Sequence, residues 1–279
     1  VIVDYVKRWS ELVRARADQG RRLDREHDRP DAWAGERAAR FAQMTRNAAG
    51  AGVADPFLDL VRADIDSQTT VLDVGAGAGR HVIPLARLAA HVTAVEPSPA
   101  MRGQLEAAVQ QSGLANVSVV GDVWPASSVT PADVVVCSHV AYFVDDISGF
   151  LLGLRDVTRR RMFVALRHEQ RERLFLPLFQ QVWGEPRCLE PTFVDLFGAA
   201  CQVGLWGGCQ TISFGIPLTF ESLDEAVSAV KRDLLNPVGP EADRAVRDFV
   251  RNNTLERDGR WQLVAPPAHA GVFTWDGAA

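Results

Sequence analysis

The run Thr70-Val71-Leu72-Asp73-Val74-Gly75-Ala76-Gly77-Ala78-Gly79-Arg80 decides the fold of this chain. Val71, Leu72 and Val74 make an apolar run of the length a buried strand has. Glycines follow at the alternate positions 75, 77 and 79. Glycine there permits a positive φ and close approach of the backbone to a ligand. A helical pattern begins at once, with Val82, Ile83, Leu85, Ala86, Leu88 and Ala89 near i, i+3, i+4 and i+7. Strand, glycine turn and helix, in that order, open a nucleotide-binding α/β sheet.

Working outward, the pattern repeats downstream. Strands are predicted at 70–74, 92–95, 117–120, 134–137 and 162–166, separated by helices at 80–90, 99–112 and 147–158. Short strands separated by helices imply βαβ units and a parallel sheet with right-handed crossovers. Helices at 171–182 and 191–203 follow, then a strand at 210–214. Two more helices, 222–235 and 240–252, precede a turn at Asp258-Gly259 and a last strand at 271–275. The late helices read as a helical insertion at about 217–254. Upstream, three helices precede any strand: one over 4–19, one capped by Asp31 and one opened by Asp55-Pro56. They predict an N-terminal helical cap over 1–68 on a main domain spanning 69–279.

Composition sets the outer bounds. The chain has 279 residues, 47% of them apolar, enough for a sizeable core. Its net charge of −5 gives no general attraction to nucleic acid or an anionic membrane. No apolar stretch reaches the roughly 18 residues of a membrane span. The first residues carry no signal-peptide core. Cys137, Cys188, Cys201 and Cys209 show no C-x-x-C spacing and no paired histidines, so no metal site is expected and a reducing cytoplasm fits.

The glycine turn then has to be assigned a nucleotide. A dinucleotide fingerprint, G-x-G-x-x-G, counted from Gly75, needs its third glycine at 80. Arg80 stands there, and the glycine comes one residue early, at 79. Asp73 stands two residues before the first glycine. Its carboxylate would repel a pyrophosphate and attract an ammonium. S-adenosylmethionine has no phosphates and carries a methionine ammonium, a sulfonium, a ribose diol and an adenine, so it fits the difference.

Here the chain resembles the class I S-adenosylmethionine-dependent methyltransferases, whose first motif is similar to residues 71–79. The resemblance covers about 69–166. It implies a Rossmann-like, seven-stranded, mostly parallel sheet with helices on both faces and an antiparallel last strand. It also implies that the backbone of Gly75, Ala76, Gly77 and Gly79 packs against the methionine and ribose parts, with Asp73 acting on the ammonium end. Glu96, closing the second strand about 20 residues on, suits the ribose hydroxyls, and Pro97 begins the turn into the next helix. Asp122 would accept from the adenine amino group, the Val123 N–H would donate to the ring, and Trp124 would cover the purine face. Ser138, at the end of the fourth-strand motif, falls near the sulfonium. The product would be S-adenosylhomocysteine.

Ligands in open α/β sheets bind beyond the carboxyl ends of the strands. That rule points the acceptor at Ser138–Phe143 and Arg167–Glu169. His139 is the general-base candidate, and Tyr142 an orienting one. Arg167 and His168 could bind an anionic group, and Trp33 and Arg37 could lie over the cofactor and acceptor. The segment 137–143 lacks the Asn/Asp-Pro-Pro-aromatic signature of enzymes that methylate exocyclic amines. No basic stripe with interleaved aromatics is visible. A small-molecule acceptor is therefore expected, with neither nucleic acid nor membrane as partner. The alternatives are an RNA methyltransferase and a non-catalytic protein that binds S-adenosylmethionine.

Overall fold

A computed structural model describes residues 2–24, 36–50, 52–126, 128–170, 172–214, 218–257 and 259–277. Three helices come first: α1 (Tyr5–Leu23), α2 (Glu36–Gly50) and α3 (Pro56–Arg62). Then follow β1 (Thr70–Val74), α4 (Val82–Ala86), β2 (His91–Val95), α5 (Pro99–Ser112), β3 (Val117–Val120), β4 (Ala132–Ser138), α6 (Ile147–Asp156) and β5 (Thr158–Arg167). Next are α7 (Leu176–Trp183), α8 (Phe193–Gln202) and β6 (Gly208–Phe214). After β6 come β7 (Thr219–Phe220), α9 (Leu223–Asp233), α10 (Pro240–Asn253), β8 (Thr254–Arg257), β9 (Arg260–Leu263) and finally β10 (Ala268–Asp276).

Seven strands form one sheet in the order β3-β2-β1-β4-β5-β10-β6. Strands β1 to β5 pair in parallel, and β10 runs antiparallel to both β5 and β6. The sheet is buried on both faces, so its strands read as near-continuous apolar runs. Alternate residues serve opposite layers. Leu72, Val74, Val135, Cys137, Met162 and Val164 pack with α1, α6 and α8. Val71, Val92, Val134, Val136, Phe163 and Val272 pack with Phe57, Leu58 and Val61 of α3 and with Val82 and Leu85 of α4. Asp73 falls in the row of Val71, so a carboxylate takes a place that alternation assigns to an apolar side chain.

Helix α1 is fixed by side chains as well as packing. Trp9 is fully buried, and its indole N–H donates to the Val144 carbonyl at 2.7 Å. Arg14 grips Asp145 through two nitrogens, and Arg8 meets Asp195 at 2.7 Å. Arg16 is buried with Glu172 and Glu190, which holds the segment after β5 beneath the end of α1.

Three helices differ most from the extents their periodicity predicts. The one after the glycine turn covers Val82–Ala86, not 80–90, because the Ala90 N–H already pairs with the Thr69 carbonyl at the foot of β1. The one predicted at 171–182 starts at Leu176, with Pro177 in its first turn; before it, Gln170 is tied to the Glu190 backbone. The helix predicted to reach 158 stops at Asp156, and Thr158 opens β5. Between β6 and β10 the two predicted helices, α9 and α10, are joined by a three-stranded sheet, β7-β9-β8. Together with α7 they enclose a separate core around Phe175, Phe179, Val227, Val246 and Leu263. β8 and β9 are the short extended pieces expected around Asp258-Gly259, whereas β7, two residues long, is too short to show alternation. No described helix is long and apolar enough to cross a membrane.

Trp9→Ala should cost about 3–5 kcal/mol, from lost burial and an orphaned Val144 carbonyl. A thermal melt followed by circular dichroism checks this, and a midpoint unchanged within error would mean that α1 is not docked as described.

Candidate active site

The carboxyl ends of β1, β2 and β4 converge around the glycine turn. Gly75, Gly77 and Gly79 all have positive φ (+76°, +56° and +88°). The N–H groups of Gly75 and Ala76 both donate to the Val95 carbonyl, at 2.8 and 3.0 Å, and this stitches the turn to the end of β2. The glycines differ in what surrounds them. A Cβ on Gly75 would come within 2.3 Å of Val140, whereas one on Gly77 would meet nothing within 4 Å. Gly75 is needed for packing after β4, and Gly77 faces open space where a ligand can approach.

Glu96 is buried, and its carboxylate is already ordered. One oxygen accepts from the Gly77 N–H and the other from the Ser98 N–H, each at 2.8 Å. Pro97 carries a carbonyl that accepts from Arg102 at 3.2 Å. Ser98 caps α5 by accepting from the Met101 N–H.

Asp73 is 2% exposed, and its Oδ2 has no hydrogen-bond partner among the described residues. Burial pushes its carboxyl up to about 6; the charge of Glu96 adds to this, and His81 opposes it. An unpaired buried carboxylate is costly, so a site that retains one has room for a cation or donor to arrive.

Asp122 and Val123 are exposed after β3, and Asp122 accepts from the Ser128 hydroxyl. Trp124 is turned toward α6, its indole N–H donating to the Phe150 carbonyl at 3.2 Å. Ser138 ends β4, and His139 follows at φ +61°, a left-handed conformation that a non-glycine residue adopts under strain. His139 Nδ1 lies 2.9 Å from the Tyr142 hydroxyl, which also accepts from the Arg167 N–H at 3.0 Å. One phenol thus ties the end of β4 to the end of β5. Burial, with the charges of Arg167, Arg80 and His81, holds His139 down to about 3. It is therefore a neutral imidazole near pH 7 and a poor proton acceptor. His168 bonds to Thr211 at 3.0 Å and packs edge-on against Phe193, on the β6 side. Trp33 and the side chain of Arg37 lie outside the described residues.

Sequence reading missed a cluster contributed by the other layer. Asp55 caps α3, accepting from the Leu58 N–H, and also accepts from Arg80 Nε at 2.9 Å. His81 Nε2 stands 3.3 Å from the same carboxylate and rests against Phe57. Burial would raise Asp55, but His81, Arg80 and the Leu58 N–H together hold it well below the usual carboxylate range. Asp55, Phe57, Arg80, His81, Ser138, His139 and Ile212 line one small, open recess. The only signal in the sequence was Arg80 standing where a dinucleotide turn would have glycine.

Residues 72–165 match the sequence model of a methyltransferase domain. Over that stretch, about a third of the chain, the sequence is similar to the methyltransferase-domain family. The chain is similar to YcgJ from Bacillus subtilis, with 14% identity, a TM-score of 0.53, and coverage of 80% of this chain and 99% of that one. It is also similar to magnesium protoporphyrin IX methyltransferase of Synechocystis PCC 6803 with bound S-adenosylhomocysteine. There the identity is 13% and the TM-score 0.52, over 99% of this chain and 100% of that one. At such identities the likeness is one of fold. As many as 1115 solved chains match, so this fold does not by itself select an acceptor. No curated protein sequence matches significantly.

The residues present suit S-adenosylmethionine: an orphaned buried carboxylate for its ammonium, an open glycine for its backbone contact, and an ordered Glu96 for its ribose.

Gly75→Ala and Gly77→Ala should separate these roles. Gly75→Ala combines backbone strain with a clash and should cost about 3–5 kcal/mol of stability. Gly77→Ala should cost only about 1–2 kcal/mol, yet abolish binding of S-adenosylhomocysteine. Thermal melts with and without that ligand check both; equal melting of the two variants would contradict the assignment.

Proposed function

We propose that this chain transfers the methyl group of S-adenosylmethionine to a small-molecule acceptor. The observation that carries the cofactor half is the buried Asp73 oxygen without a partner, set beside the open Gly77. Asp73 would hold the methionine ammonium, Glu96 the ribose hydroxyls, and the Gly75–Gly79 backbone the chain between them. Asp122 and the Val123 N–H would read the adenine from the exposed loop after β3. Trp124 would flank the purine edge, with Pro97 shaping the turn beneath it.

When bound, the sulfonium supplies a methyl carbon already activated for displacement. What remains for the protein is orientation, worth several kcal/mol when the reacting atoms are held in line. Ser138, His139 and Tyr142 stand at the strand end where the acceptor would approach. His139, kept neutral, would orient it by hydrogen bonding, with Tyr142 holding the ring. Arg167, His168, Trp33 and Arg37 are the proposed acceptor contacts. A small acceptor is supported by the net charge of −5 and by the segment after β5, which Arg16, Glu172 and Glu190 hold under α1. The neighbour named for magnesium protoporphyrin IX also has a small-molecule substrate in its name. None of these observations chooses oxygen, nitrogen or carbon as the methylated atom. Release of S-adenosylhomocysteine on incubation with a panel of small molecules and with bulk RNA tests the reading; turnover on RNA alone would overturn the acceptor class.

Asp73 also sets a pH signature. Its carboxyl is raised in the folded protein, from the ordinary value near 4 to about 6. The folded state therefore binds more protons than the unfolded state across that window. The stability this group contributes is full below about 4 and is lost as pH rises through about 6. Cofactor affinity should run the other way, falling about tenfold per unit below pH 6 as the carboxylate is protonated. Asp73→Asn should raise the stability of the free protein at pH 7 by roughly 1–3 kcal/mol and weaken binding of S-adenosylhomocysteine at least tenfold. Calorimetric titrations at pH 5 and 7 check the affinity, and affinity independent of pH in wild type would contradict the role of Asp73.

A further inference from the structure

Every edge strand of a sheet carries a row of N–H and C=O groups that can template another strand. Among the described residues, four strands stand at an edge: β3 and β6 in the large sheet, β7 and β8 in the small one. Three of them are protected. β3 is four residues long and β7 two, and β8 carries Glu256 and Arg257. β6 has none of these devices. It runs for seven residues, Gly208–Phe214, without a charge or a proline. Its flanks supply no charge either: none stands between Leu196 and Phe220, in a chain that is 23% charged. Cys209, Gln210, Thr211 and Ser213 are exposed, whereas Ile212 is buried against the α3 layer.

The loop that enters β6 adds an apolar anchor. Trp206, at the foot of the strand, is 76% exposed. The loop is not slack. Leu205 is buried before it, and a Cβ on Gly207 would come within 2.1 Å of the Thr274 carbonyl oxygen, so the chain lies tight on β10. A fixed, exposed tryptophan is the kind of side chain that anchors protein interfaces. The charge pattern then selects the partner. Two copies of one strand, meeting antiparallel about a two-fold axis, set like side chains face to face near the axis, so a charge there would repel itself. An uncharged strand is complementary to its own copy, whereas a charged peptide would find no opposite charge along β6. A stable interface buries roughly 800 Å² on each partner, more than a strand edge supplies alone, and Trp206 extends the contact beyond the strand. We propose that β6 pairs antiparallel with β6 of a second copy of this chain, joining the two large sheets across a two-fold axis, with Trp206 packed on the partner. Ile212 belongs to the same strand and lines the recess, so each recess lies beside the joint. The joint is independent of what the glycine turn binds.

Sedimentation velocity on the full chain at about 1–100 μM tests this. Wild type should reach twice the mass of the chain within that range. Gln210→Lys and Ser213→Lys set like charges on the two paired strands and should each weaken association at least about tenfold. Trp206→Ala should also weaken it at least about tenfold. A circular dichroism spectrum equal to that of wild type shows that a variant is folded; where a lysine variant unfolds, Trp206→Ala, outside the strand, decides. A wild type that stays monomeric at the highest concentration would overturn the proposal without any variant. A dimer that keeps its affinity in both lysine variants would place the interface elsewhere and overturn it too. So would a mass that keeps rising with concentration, because a strand pairing about a two-fold axis closes at two copies.

Discussion

A carboxylate taken out of water without a partner is among the most expensive groups a fold can bury. Asp73 is such a group, and much of the structure around the strand ends follows from it. It stands in an apolar row of the central strand, so it cannot turn to solvent. Glu96 nearby raises its cost further, and His81 offsets part of it. Glu96 itself avoids the same cost by accepting two backbone N–H groups. The two carboxylates differ in that one is ordered by backbone donors, while the other keeps an oxygen without a partner among the described residues, as the proposed cofactor role requires.

The fold supplies this arrangement with few special devices. A parallel sheet places successive strand ends side by side, so residues distant in sequence meet at one edge. The Val95 carbonyl accepts from Gly75 and Ala76, which fixes the turn of the first strand to the end of the second. The Tyr142 hydroxyl does the equivalent for the fourth and fifth strands, through His139 and the Arg167 N–H. His139 takes a left-handed conformation to make that contact. Strain at such a place is sustained only where surrounding contacts over-determine it, as the buried Tyr142 and the bond from the His139 N–H to the Ala165 carbonyl do here.

What the sequence made legible has a common physical basis. The order of strands and helices and the glycine turn were readable because each is local or belongs to a motif of adjacent residues; the antiparallel direction of the last strand was implied only by the family resemblance. Asp73 stood out by its charge in an apolar run. The cluster of Asp55, Arg80 and His81 did not, because it is a tertiary contact between a helix cap in one segment and a turn in another. In sequence, Asp55 was only a helix start and Arg80 only a displaced glycine. The protonation of His139 was equally out of reach. Its type suggested a base, but burial and the arginines around it decide otherwise.

These features bear on why the site is built from both helical layers. Helix α1 docks on the α6 and α8 layer through Trp9, while α3 belongs to the opposite layer through Phe57, Leu58 and Val61. The residue capping α3 sends a charged side chain to the glycine turn. A cap has little freedom, since one carboxylate oxygen must stay on the helix N–H. Using that residue to hold Arg80 makes the guanidinium's direction depend on the fold rather than on a flexible side chain. The energy that keeps α3 packed thus also preorganises the turn, so a substitution deep under α3, far from any ligand, should weaken binding as well as stability.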